Sequence, residues 1–153
     1  MSLLFCRRMN RPSGIALLTA LTALVMGCVR ARYDPALASK PYPMDLHRAE
    51  SIDIQVFRDE DFLEIVNSTP VDYVGVSVWI NQRYSKAVGA IGAGETVQLP
   101  LWTFRDVRGE VFEAGGLLRT ERPTPVRLVE MQVADDAPLI GLITVGSPTR
   151  EDD

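Results

Sequence analysis

Cysteine is scarce in this chain. Of 153 residues only Cys6 and Cys28 carry a thiol, so everything beyond residue 28 lacks one. That excludes a disulfide, a thiolate nucleophile and a cysteine-ligated zinc from the rest of the molecule. Histidine is scarcer still, with His47 alone. Acidic residues are absent from the first 27 positions, which hold three cations, Arg7, Arg8 and Arg11. The sixteen Lys and Arg less those three leave thirteen, against twenty Asp and Glu, a formal charge of −7 for the remainder. A sequence-independent grip on nucleic acid needs clustered cations, so no nucleic-acid partner is expected. Aromatics are few, at 7%. No stretch after Cys28 sustains an apolar period of 3.6 residues over ten or more positions, which excludes a helical domain.

What is present begins with an address. The basic stretch Arg7-Arg8-Met9-Asn10-Arg11 precedes an apolar run over residues 15–26, broken only by Thr19 and Thr22. Twelve residues of helix span about 18 Å, short of the roughly 30 Å hydrocarbon core of a bilayer. The length and the small residues that follow fit a secretory signal, starting at Met1 or at Met9. The segment Leu24-Val25-Met26-Gly27-Cys28 resembles the lipobox of bacterial lipoproteins. That resemblance implies cleavage between Gly27 and Cys28, acylation of the Cys28 thiol, and a chain held at a membrane by its N-terminal lipid. Val29 stands where an Asp would resemble an inner-membrane retention signal. The expected location is therefore the bacterial envelope, on the outer membrane facing the periplasm.

Four regions follow: a lipoprotein signal over 1–27, a lipidated, proline-rich tether over 28–48, a folded body over 49–146 and a polar tail over 147–153. The tether holds Pro35, Pro41 and Pro43 without any sustained period, which suits an extended chain. The body reads as seven or eight short strands. Residues 52–57 alternate with period two, residues 62–66 end at the turn-forming Asn67-Ser68-Thr69-Pro70, and Asn81-Gln82-Arg83 suits a tight hairpin. In residues 71–80, Val74, Val76, Val78 and Ile80 share one face; Tyr73, Gly75, Ser77 and Trp79 share the other. Further strands are expected at 84–88, at 95–99 with continuation through Leu101-Trp102-Thr103-Phe104, at 110–113, at 126–133 and at 139–145. Pro100 marks an edge or a bulge. The expected fold is all-β, a small antiparallel β-sandwich, with a small open barrel as the alternative. The long strand with Trp79 loosely resembles the third strand of immunoglobulin-like domains, where a Trp fills the core. By count of aliphatics, however, the valine face is the core, which puts Trp79 on the outer face under a cover.

The sequence offers little chemistry. His47 reads as a solvated tether residue, since a general base or metal ligand needs partners held within hydrogen-bond reach. Asp59-Glu60-Asp61 and Asp135-Asp136 read as solvated turns, and Asn67-Ser68-Thr69 as a turn rather than a glycan acceptor. No catalytic residue, metal ligand or cofactor is expected. The one binding clue is aromatic: Tyr73, Trp79, Tyr84 and Trp102 are the candidate surface, either as core or as an exposed strip. The expected function is a lipid-anchored envelope module that is structural or binds a protein partner, without catalysis. The alternative is a carbohydrate-binding module for peptidoglycan or surface glycan.

Overall fold

A computed structural model describes residues 33–115 and 123–146. The signal, the cleavage pair Gly27 and Cys28, and the tail over 147–153 lie outside the described residues. Those described are all-β. Seven strands follow in order: β1 (Ser51–Asp59), β2 (Phe62–Asn67), β3 (Tyr73–Ile80), β4 (Tyr84–Ile91), β5 (Thr96–Pro100), β6 (Val129–Gln132) and β7 (Ile140–Val145). Among the described residues, helix is confined to the 3-10 turns Pro35–Leu37, Met44–Leu46 and Leu101–Thr103.

Local chemistry accounts for the hairpins. Asn81 and Gln82 both adopt positive φ, 52° and 58°, and the Arg83 amide donates to the Ile80 carbonyl at 3.1 Å, so a tight turn centred on Asn81-Gln82, within the three-residue loop 81–83, joins β3 to β4. Glu60, also left-handed at 47°, turns β1 into β2. The strands assemble as one hydrogen-bonded sheet in the order β4-β3-β6-β7-β1-β2-β5. Five of the six pairings are antiparallel; β1 and β7 run parallel, which seats the first strand beside the last. The two layers of the expected sandwich are thus one continuous mixed sheet that curls over its core until it is nearly closed. Pro100 ends the edge strand β5, where its missing N–H breaks no ladder. The chain then crosses to the opposite edge, where Ser85 and Arg105 exchange backbone hydrogen bonds at 2.8 and 3.2 Å.

Between Pro100 and that crossing the expected continuous strand is a 3-10 turn. Thr103 Oγ1 donates to the Pro100 carbonyl at 2.6 Å, a local bond that competes with extension. The strand expected at 110–113 is reduced to bridges from Arg105 to Val111 and from Tyr33 to Glu110. Val76, Val78, Ile80, Ile54, Ile65 and Met131 are the buried heart of the core, and Phe104 and Phe112 are wholly buried in it.

Alternation in β3 breaks at Gly75. Its φ of +67° turns the strand over, so Tyr73 packs against the core while Val74 is 72% exposed. This corrects the expectation that Val74 joins the core face and that Tyr73 accompanies Trp79. Beyond the glycine the expected parity holds, with Val76, Val78 and Ile80 in the core and Trp79 on the outer face, outside the main core cluster.

Candidate functional site

Residues 33–48, expected to stand free as a tether, lie instead as a strap across the body. Three prolines remove backbone donors and keep the strap out of the ladder, so it is pinned at intervals. Asp34 and Ser39 donate their amides to the carbonyls of Gly109 (3.1 Å) and Asp106 (2.9 Å), and the Leu139 amide donates to Leu46 (2.9 Å). The receiving turn, 106–110, is organised by Asp106. Its buried carboxylate accepts the amides of Arg108 and Glu110 and the guanidinium of Arg83, whose Nη2 lies at 2.8 Å. Gly109 sits at φ +81°, and a Cβ there would collide with the Asp34 carbonyl, so the strap's approach requires glycine.

The strap covers the outer face of β3 and β6. Tyr42 meets Trp79 edge to face, with ring centroids 5.4 Å apart at 84°, and Trp79 is left 2% exposed. Beside it on β6, Val129 and Met131 face the core, so Glu130 faces outward into the same covered layer. Its side chain is 1% exposed. Both carboxylate oxygens are held: the Tyr42 hydroxyl donates to Oε2 at 2.7 Å, and His47 Nδ1 lies 2.7 Å from Oε1. A buried carboxylate is tolerated only with such partners. Against an ionised Glu130, His47 must carry its proton on Nδ1. Burial, and then the bond to Glu130, push the Tyr42 phenol well above its ordinary pKa. A phenol so hard to ionise is neither nucleophile nor base near neutrality, and the Tyr42–His47–Glu130 cluster acts as a latch. His47 is therefore corrected from a solvated tether residue to a member of that latch.

Bounded by strap residues 37–40, the outer face of β3 and β4, and residues 102–105 lies a groove of about 510 Å³. That is within the usual size range of ligand pockets. Ser77, Trp79, Ser85 and Ala87 contribute from the sheet, and Lys40, Lys86 and Arg105 bring positive charge; no acidic side chain among the described residues lines it. Lys40 pairs with Asp135 on the open surface. Lys86 Nζ donates to Thr103 Oγ1 at 2.7 Å, and no carboxylate among the described residues pairs with it. Burial pushes its ammonium below the ordinary lysine pKa. Trp79 Nε1 is buried without an acceptor among the described residues.

The four candidate aromatics are not one strip. Tyr84 is buried against Phe112 at 5.1 Å, and Tyr73 packs at the margin of the core. Trp79 and Trp102 both line the groove, with Trp102 edge-on to Phe62 at 5.3 Å. Sequence reasoning missed Glu130, Lys86 and Arg105, and read Tyr42 as a tether residue with packing on the domain as the alternative. Only Glu130 left a trace, as a carboxylate inside the apolar run Leu128-Val129-Glu130-Met131. Asn67, by contrast, is wholly buried, its amide donating to the carbonyls of Val71 (2.9 Å) and Gly92 (2.8 Å), as a turn organiser should. No three His, Cys, Asp or Glu side chains among the described residues converge as metal ligands. Comparisons with protein-family models, with curated proteins and with solved structures found no match.

Proposed function

We propose that the protein is a lipid-anchored, non-catalytic module of the bacterial envelope that binds a protein partner close to the membrane surface. The observation that carries this reading is the strap. With Tyr33 already bridged to Glu110, five residue steps separate an acylated Cys28 from the folded body. At 3.3–3.6 Å each they reach at most about 18 Å. Such a protein is held against the headgroups of its membrane, on the periplasmic side of the outer membrane in this reading, and does not range outward on a long tether. Apolar side chains left outside the core supply contact points: Val74, Val107 and Ile143 are all exposed. The carbohydrate-binding alternative depends on aromatic rings displayed for stacking, and here Trp79 and Tyr84 are at most 7% exposed.

The test uses the membrane-bound protein in cells. Cys28→Ser should move it from the detergent phase to the aqueous phase. Photo-crosslinkers placed singly at Val74, Val107 and Ile143 should give discrete, protease-sensitive adducts that disappear with Cys28→Ser. Continued membrane partitioning of Cys28→Ser would remove the anchor from the proposal. Adducts that resist protease but yield to a muramidase would hand the molecule to the glycan reading.

A further inference from the structure

The groove differs in charge from the molecule around it. The chain as a whole is acidic, with 20 Asp and Glu against 16 Lys and Arg, yet among the described residues three cations and no acid line the groove. Lys86 is half-buried, hydrogen-bonded only to the neutral Thr103, and without a counter-ion among the described residues. The Arg105 side chain likewise has no carboxylate partner there and donates to the Gly109 carbonyl, at 3.2 Å. An ammonium kept partly out of water without a pairing anion is a cost that a bound anion would offset.

Backbone geometry adds a second feature. β4 is the edge of the sheet, and on its open side, among the described residues, Ser85 alone is bridged, to Arg105. In an antiparallel ladder the backbone groups of alternate residues face the same neighbour. Ala87, two residues on, exposed and lining the groove, therefore turns its N–H and C=O to that open side. An edge of this kind accepts an added extended segment.

We propose that the groove binds an extended, acidic segment of the partner protein, its backbone pairing at Ala87 and its carboxylates meeting Lys86 and Arg105. The inference rests on the protein-binding reading above and names the chemistry of the partner at this one place. A glycan is disfavoured because the described residues offer the groove no exposed pair of stacking rings: Trp79 forms part of its lining almost entirely buried.

The experiment uses the full chain, acylated, in detergent micelles, with backbone amides and indole N–H groups followed by nuclear magnetic resonance. The probe is an end-blocked octapeptide alternating Glu and Val, set beside the same peptide with Lys for Glu and beside polygalacturonate. The acidic peptide should shift signals at residues 85–87 and the Trp79 and Trp102 indoles, more weakly as salt rises. Lys86→Gln and Arg105→Gln should each weaken it about five- to tenfold, and Lys86→Arg should restore most of the affinity. Unchanged near-ultraviolet circular dichroism shows that the variants are folded. Equal binding by Lys86→Gln, or shifts confined to other surfaces, would overturn the proposal. So would a response to polygalacturonate with none to the peptide. If the groove stays silent while the crosslinks at Val74, Val107 or Ile143 still form, the protein-binding reading survives and the groove does not.

Discussion

At the scale of single residues, Trp79 and Asp106 hold together what the backbone alone would not. Trp79 fills the layer between β3 and the strap, against Tyr42. Trp79→Ala should cost about 3–5 kcal/mol in chemical unfolding, the range for truncating a buried aromatic. Unchanged stability would mean that the ring serves a ligand and not the fold. Asp106 answers to pH. Burial by itself would raise its pKa, but the Arg83 guanidinium and the amides of Glu110 and Arg108 outweigh burial and hold it below its ordinary 3.8. The folded state then binds this proton more weakly than the unfolded chain. Its contribution is complete above the unfolded value and drains away as pH falls through the lower folded one. Asp106→Asn should accordingly lower stability at neutral pH and flatten the decline below about pH 4. A variant with the same acid limb as the parent would remove Asp106 from that account.

At the scale of elements, the sheet depends on where β3 changes face. Gly75 opens onto empty space, with no atom within 4 Å of a would-be Cβ. Gly75→Ala therefore meets no collision, only the left-handed backbone, and should cost about 1–2 kcal/mol. Full stability in urea would show that the strand can flatten and return Val74 to the core side. The period-two pattern of residues 71–80 was legible, and so was the turn at 81–83, because both are written in neighbouring residues. The face switch was not, since a glycine within an alternating run marks equally a bulge, a close approach or nothing. The segment 101–104 misled for a related reason. Its apolar and aromatic residues look like strand, and the Thr103 hydroxyl bond to Pro100 that winds it into a 3-10 turn leaves no mark on periodicity.

At the scale of the whole molecule, the body does not begin at residue 49. A chain starting there would lose Tyr42 and His47 and would bare both Glu130 and Trp79 to water. It should lose about 3–5 kcal/mol, the cost of losing the packing on a buried aromatic, with Trp emission shifted to the red. A stable truncated chain with unshifted emission would return residues 33–48 to the status of a tether.

By itself the sequence determined what is local: strands in place of helices, the hairpin turns, Pro100 at an edge, and the parity that turns Trp79 away from the valine face. Each of these follows from the stereochemistry of residues a few positions apart. The tertiary structure alone decided the order of strands, the parallel seating of β1 beside β7, the strap and the groove beneath it. The latch joins Tyr42 and His47 to a carboxylate 88 and 83 residues away, and no period or spacing encodes a contact of that length. The strap has no apolar rhythm of its own. It is ordered by what it covers, an indole and a buried acid whose need for partners arises only once the sheet has brought β3 and β6 side by side.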